Sequence, residues 1–286
     1  MAKTETIAIF RTERVYFMQR FICFLLCFAL TSPVFAAAPD SVGIWVGEAR
    51  ADRFGASFTV GGEVYVPASE IALALGAERV VFSEYTGEAA IYADSLLISA
   101  KVGKRYLTAN GRLIYCPGGI IFRYNRVMIP ASALAKAFGS TISYDEEARS
   151  LRFSIAGKPI EPADWTDDDL YWLSRIVNAE ARGESLEGKI AVANVVLNRV
   201  RSKEFPESVK KVVFDTRFGV QFTPVSDGSI YLAPSEESCL AARLALDGAD
   251  VAGESLYFAS NAAAKSCWAE RNRTRFGKID HQVFYL

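Results

Sequence analysis

Residues 166–188, TDDDLYWLSRIVNAEARGESLEG, place a carboxylate where a helix should carry only apolar side chains. Thr166 is a good N-cap, and three aspartates fill the first turn, where negative charge suits the helix dipole. Asp169 is spaced to reach back to Thr166 as in a capping box. At ~100° per residue, Leu173, Ile176, Val177 and Glu180 fall within about a third of the circumference. Glu180 therefore shares the core-facing stripe and is expected to be at least partly buried. Gly183 ends this helix about one turn after Glu180. Ser185 is placed to cap a second, apolar helix, KIAVANVVLNRV at 189–200.

Desolvation disfavours a charged carboxylate, raises its pKa and keeps it protonated near neutral pH, where it can act as a general acid. Glycoside cleavage needs such a group. The same pattern also describes a buried glutamate held by arginine or backbone in a purely structural role, and periodicity does not separate the two.

The chain has 286 residues, 51% of them hydrophobic and 23% charged, enough to bury a sizeable core and long enough for two domains. Residues 21–30, FICFLLCFAL, form an apolar run short for a bilayer, preceded by Arg20 and followed by Pro33 and the small-residue site Val34-Phe35-Ala36. Residues 1–36 read as a secretory signal peptide, with an uncleaved signal anchor as the alternative and Met18 as an alternative start. Their removal takes away Lys3, Arg11, Arg14 and Arg20 with Glu5 and Glu13, leaving 28 basic and 31 acidic side chains, a net charge of −3. That balance gives no field for nucleic acid, and the exported chain is expected to keep no stable membrane span. Cys116, Cys239 and Cys267 remain after cleavage, so one is unpaired in a monomer, and a Cys239–Cys267 bridge is an option in an oxidising space.

From Gly43 to about Gly157, short alternating runs such as GIWVGEA, EAAIYA and LRFSI, separated by Gly, Asn and Asp, predict strands. VYVPASEIALALG at 64–76 recurs as VMIPASALAKAFG at 127–139, each copy a strand entering a short helix, with Pro at the turn, Ser as the cap and Gly as the stop. A strand pair is expected after each copy. Tyr85, Tyr92, Tyr106 and Tyr115 offer sugar-stacking faces, although at strand spacing such residues also serve as core or rim. Residues 157–165, GKPIEPADW, read as a linker. Beyond the two helices, SVKKVVFD predicts a short helix, 217–234 an irregular loop or short strands, SEESCLAARLALDG a helix stopped at Gly248, and the C-terminal stretch strand-like runs mixed with loops.

The run VNAEARGESLEGKIAVANVVLNRVRSKEFP, followed by QFTPVSDG and SLYFASN, resembles the SleB/CwlJ-type cell-wall hydrolases, which include spore-cortex-lytic enzymes. The resemblance covers about residues 166–286. It implies a lysozyme-like α-helical domain that cuts peptidoglycan glycan strands, with Glu180 as the catalytic acid. Residues 41–156 resemble the copper-amine-oxidase N-terminal-like (stalk) domain through Val66-Pro67-Ala68-Ser69 and Leu75-Gly76. Copper does not follow, because the chain's one histidine is His281 and this region has no cluster of imidazole or soft ligands. This module is read as non-catalytic. Neither a metal nor a cofactor is expected.

The chain is thus expected to be α+β: a β-rich module with an internal repeat at 41–156, and after the linker a lysozyme-like, α-rich catalytic domain at 166–286 able to fold without it. Glu184, Gln221, Tyr257, Asn261 and His281 are the candidate substrate contacts, four of them at positions that resemble the family's glutamine, tyrosine, asparagine and histidine. Asn261-Ala262 and Ile279-Asp280-His281 depart from the family's usual Asn-Pro and Ile-Gly contexts. No second carboxylate stands out as Glu180 does, and Asp227 in VSDG reads as a turn residue. One acid without a clear base suits a muramidase-type lytic transglycosylase, in which the muramic C6 hydroxyl attacks intramolecularly and one group serves as acid and then as base. Alternatives are a non-catalytic peptidoglycan-binding protein, or a peptidase on stem peptides using Cys239 or Cys267 with His281. The expected location is outside the cell, in the wall or the spore envelope.

Overall fold

The computed structural model describes residues 41–286, apart from 53–55, 156, 218, 220 and 265–266. The expected signal peptide and its cleavage site lie outside the described residues. Among those described, no helix is long and apolar enough to cross a membrane.

The repeat organises the first half. Strand β1 (Gly43–Val46) turns back into β2 (Ala49–Arg50), β3 (Phe58–Val60) into β4 (Glu63–Pro67), and β4 runs straight into helix α1 (Ala68–Ala74). Five strands then follow as an antiparallel meander: β5 (Arg79–Ser83), β6 (Glu88–Ala93), β7 (Leu96–Lys101), β8 (Tyr106–Ala109) and β9 (Arg112–Tyr115). The second copy is built from β10 (Ile121–Arg123), β11 (Arg126–Pro130), α2 (Ala131–Phe138) and the pair β12 (Ile142–Asp145) and β13 (Ser150–Phe153). The two copies pair with each other. β4 and β11 lie antiparallel at the centre of the sheet β10-β11-β4-β3, with Ile129 opposite Val66. β13 takes β1 alongside it in parallel, so the first described strand is closed by the last one of the module.

Each strand-to-helix step is as read, except for its cap. Pro67 and Pro130 occupy the N-cap positions with no side-chain cap bond, and the serines sit inside the first turn. The proline fixes φ for helix entry, and Ser132 Oγ is free to donate to Glu63 Oε1 at 2.7 Å. Gly139 ends α2 at φ +63° where a side chain would collide with the backbone of Lys158.

The second half begins with α3 (Asp167–Ala181), whose capping box is complete: Thr166 Oγ1 accepts from Asp169 N, and Asp169 accepts from Thr166 N at 3.0 Å. Next come α4 (Leu186–Arg201), capped by Ser185, α5 (Val209–Val213), capped by Ser208, α6 (Thr223–Asp227), a 3-10 turn at Ser229–Tyr231, and α7 (Glu236–Leu246), capped by Ser235. α3, α4 and α7 bury one core containing Leu173, Ile176, Val177, Ile190, Ala193, Val196, Ala241 and Leu244. Full burial of a Leu, Ile or Val side chain stabilises by about 1.5–3 kcal/mol, so the stripe that carries Glu180 is firmly held. Within the stretch 217–234, expected as a loop or short strands, α6 and the 3-10 turn take residues 223–227 and 229–231, because Pro224 in the first turn favours helix entry and Gly228, at φ +79°, stops it. A three-stranded antiparallel sheet, β14-β16-β15, completes the half: β14 (Tyr257–Ser260), then short α8 (Asn261–Ala264) and α9 (Trp268–Asn272), then β15 (Arg275–Ile279) and β16 (Gln282–Tyr285).

The halves are joined by more than residues 157–165. Asp247, 1% exposed just after α7, accepts from Leu113 N at 2.8 Å and Trp165 Nε1 at 2.9 Å. Arg112 donates to Asp247 O, Arg243 to Gly111 O and Lys136 to Gly248 O. Leu113 belongs to the helical core, with Tyr106 and Tyr115 packed against it. Those two tyrosines therefore serve the junction rather than a sugar-binding face. Tyr85 is fully exposed, and Tyr92 lies under the guanidinium of Arg79. Among the described residues Cys116, Cys239 and Cys267 are free thiols, so the Cys239–Cys267 bridge is not formed. Cys267 Sγ instead caps α9, accepting from Glu270 N.

Candidate functional site

Glu180 sits in the last turn of α3, half-buried, one turn beyond Ile176 and Val177. Burial first, and then the negative charge of Asp227, push its carboxyl above the ordinary range, while the charge of Arg199 pulls the other way. Its backbone carbonyl accepts from Gln282 Nε2 at 3.1 Å, which ties the end of α3 to β16. Asp227 closes α6, where Oδ1 accepts from Ser229 N at 2.8 Å, and hydrogen bonds from Ser229 hold its own carboxyl low. Sequence reads it as a turn residue, whereas it is the last residue of α6, and it supplies a carboxylate charge that acts on Glu180.

Arg199 is the residue that sequence reasoning passed over. It is 5% exposed on α4, donates from Nε to Leu256 O at 2.8 Å, and leaves Nη1 buried without a hydrogen-bond acceptor. Its guanidinium carbon lies 4.9 Å from the ring centre of Phe205, 5.2 Å from that of Phe222 and 5.6 Å from that of Tyr257. Burial pulls its pKa down to about 10, so it stays cationic at neutral pH. The signal was available: one and two turns after Val195 and Val192, Arg199 is a charge on an apolar stripe, the same anomaly that singled out Glu180.

The structure divides the remaining candidates. Tyr257 joins the Arg199 group, with its hydroxyl accepting from Arg273 Nη2 at 2.9 Å. Gln221 stands at the entrance to α6, next to buried Phe222, and donates to Gly219 O at 3.1 Å. Glu184, His281 and Asn261 form a second group. Glu184 is turned inward, its side chain 13% exposed, and Oε2 accepts from His281 N at 3.0 Å and lies 3.3 Å from His281 Nδ1. Asn261 N donates to His281 O at 2.7 Å, while the imidazole itself is 82% exposed. Asp280, at φ +50° in the β15–β16 turn, accepts from Ser185 N at 2.8 Å. Buried Lys189 donates to Glu184 O and to Glu237 Oε2. A Cβ on Gly188 would stand 2.5 Å from Asp280 Oδ2, so only glycine lets the turn dock against the start of α4. This second group is a clamp that fixes the loop after Glu180. His281 Nδ1 faces Glu184, and Cys267 Sγ is engaged as the cap of α9, so these two are not set up as a Cys–His pair.

A partly desolvated carboxyl with a buried cation and a second carboxylate in its field is suited to giving up a proton and tolerating the resulting charge. The family model described as Cell Wall Hydrolase matches residues 183–285. Residues 183–285 are a cell wall hydrolase domain. Copper amine oxidase N-terminal domain is the description of the model that matches residues 50–153. Spore cortex-lytic enzymes of Halalkalibacterium halodurans and Bacillus subtilis are 37% and 40% identical to this chain over 123 residues, 43% of its length. The chain covers 36% and 39% of the length of those two relatives. The catalytic domain of the germination-specific lytic transglycosylase SleB from Bacillus anthracis is 36% identical, covering 44% of this chain and 99% of that one at a TM-score of 0.40. In the cell wall hydrolase domain, Arg199, Gln221, Tyr257, Glu184, Asn261 and His281 all fall within the matched residues, and Glu180 lies three residues before them.

Proposed function

We infer that the chain cleaves the glycan strands of peptidoglycan in the cell wall or spore cortex, by lytic transglycosylation with Glu180 as acid and then base. The observation that carries this reading is the half-buried carboxyl of Glu180 in the last turn of α3, its pKa raised by burial and by the charge of Asp227, with the charge of buried Arg199 acting on it. Cortex lysis in the names of the similar proteins supports the substrate class. Protonated Glu180 gives its proton to the glycosidic oxygen as the bond to the muramic C1 breaks. Arg199 then steadies the carboxylate left behind. That carboxylate removes the proton from the muramic C6 hydroxyl as its oxygen bonds to C1, which closes a 1,6-anhydro ring and returns Glu180 to its starting state without consuming water. Gln221 and Tyr257 orient the strand near the reacting sugars, and the Glu184–His281 clamp holds the loop that positions Glu180.

In the same reading, residues 1–36 direct export, 41–156 form a non-catalytic module, 157–165 connect it, and 166–286 carry the chemistry. A second reading rests on Asp227: its charge at Glu180 is what an acid–base carboxylate pair would show, with Asp227 activating water. The class of reaction is tested by incubating the purified protein with cortex and with vegetative peptidoglycan and analysing what becomes soluble by mass spectrometry. Glycan fragments with intact stems are expected. Freed stem peptides, or binding with nothing released, would overturn the assignment.

A further inference from the structure

Trp268 opens α9 with its indole 54% exposed, yet it is held on one side. Its ring centre lies 5.6 Å from that of Tyr257, at 59° between the planes, and the guanidinium of Arg273 reaches over both rings, 4.9 Å from Tyr257 and 5.2 Å from Trp268. Arg273 is itself fixed by donating to the Tyr257 hydroxyl and by Glu204 at 3.8 Å. Tyr257 also meets Arg199, whose charge reaches Glu180. The stack therefore runs outward from the reacting carboxyl as Arg199, Tyr257, Trp268, and ends in an open aromatic face.

A single exposed aromatic needs no explanation. This one is different, because its orientation is set by Tyr257 and by Arg273, itself bonded to Tyr257, and its exposed indole adjoins the Tyr257–Arg199 group of the candidate site. Resting on the glycan-cleaving reading above, we propose that Trp268 is an outer glycan subsite, on which the apolar face of a sugar ring stacks one position beyond the reacting pair. The occupant is the same polysaccharide strand, and continuity with the Glu180 group is what selects it. Tyr85, more exposed still, has no such connection and serves as the control.

Binding a remote sugar contributes to turnover of long strands and gives nothing to substrates too short to reach it. A stacking contact of this kind is worth roughly tenfold in an equilibrium or rate constant. The test uses the full exported chain with Trp268→Ala, Trp268→Phe and Tyr85→Ala, on stem-free glycan strands fractionated by length. Trp268→Ala should lower the ratio of kcat/KM on long strands to that on the shortest cleaved strands about tenfold. Trp268→Phe should restore most of it, and Tyr85→Ala should leave it unchanged. Tryptophan emission of Glu180→Gln should shift to the blue when long strands are added, and the double variant Glu180→Gln with Trp268→Ala should lose that shift. A loss equal at all lengths would make Trp268 a structural residue and overturn the subsite, as would no loss at any length. If the wild type releases no glycan at all, the functional reading fails, while the emission titration still decides the subsite.

Discussion

Asp247→Ala removes the one side chain on which the junction between the β-rich module and the helical half converges. Asp247 is 1% exposed and accepts from Leu113 N at 2.8 Å and Trp165 Nε1 at 2.9 Å. Arg112 Nε and Arg243 Nε stand 4.0 and 3.8 Å from its two oxygens as ion-pair contacts, and both of those atoms are buried without a hydrogen-bond acceptor. Each orphaned buried donor costs about 1–3 kcal/mol, and breaking a buried ion pair by deleting one partner costs about 3–5 kcal/mol. The side chains of Arg112 and Arg243 are 24% and 41% exposed, so solvent screens part of the ionic component. The two hydrogen bonds then dominate, and a loss of about 2–6 kcal/mol follows. In a chain of this size that corresponds to a fall in Tm of roughly 4–24 °C. Asp247→Asn keeps one acceptor and should lose about half as much. Scanning calorimetry of residues 37–286, with far-UV circular dichroism alongside, measures both. One cooperative transition is expected in the wild type, and a fragment spanning 160–286 should melt well below it because Leu113 is missing from its core. A fall under about 2 °C for Asp247→Ala, or two separate wild-type transitions, would refute the claim that the halves are energetically one unit.

The remaining predictions concern the site. As an acid Glu180 must be protonated, so kcat should fall as pH rises through its raised pKa; Asp227→Asn should move that limb to lower pH and Arg199→Met to higher pH. A pH–rate series in which neither substitution moves the limb would show that another group titrates. Because the folded state favours the protonated form, ionising Glu180 costs stability above that pKa. Glu180→Gln should therefore raise Tm above it and change little below the ordinary carboxyl range. Glu184→Gln keeps an acceptor for His281 N and should cost less than about threefold in kcat. Gly188→Ala puts a methyl group against Asp280, so it should lower activity and loosen the β15–β16 turn in hydrogen exchange. An unchanged exchange pattern would mean that the clamp does not depend on that approach.

Much of this was legible because it is local. Thr166 and Asp169 announce a capping box within four residues, Gly183 and Ser185 mark one helix end and the next start, and the two Pro-Ala-Ser copies show the strand-to-helix steps. The partly buried position of Glu180 follows from its angle on that helix. Signals were misread where two local rules compete. Ser69 and Ser132 look like caps, but Pro holds that position, and 217–234 reads as an irregular loop or short strands until Pro224 and Gly228 are weighed as helix entry and exit. What stayed hidden is long-range. Asp247 reads as a helix-end residue in water, and its partners lie 82 to 134 residues away. Likewise Glu184 reads as a candidate substrate contact, whereas a turn 97 residues later folds it inward. Arg199 was visible as a charge on an apolar face, yet its aromatic surroundings come from three separate segments.

The central claim is that Glu180 serves first as acid and then as base while the muramic C6 oxygen attacks C1. It is tested most directly by digesting peptidoglycan in ¹⁸O-labelled water and reading the new glycan ends by mass spectrometry, with Glu180→Gln in parallel. The account predicts 1,6-anhydromuramic ends without label, and a drop in product on the order of 10²–10⁴ for Glu180→Gln while folding and strand binding persist. Reducing muramic ends carrying ¹⁸O at C1 would contradict it, and would assign the second role to a carboxylate that activates water, with Asp227 the first to be replaced.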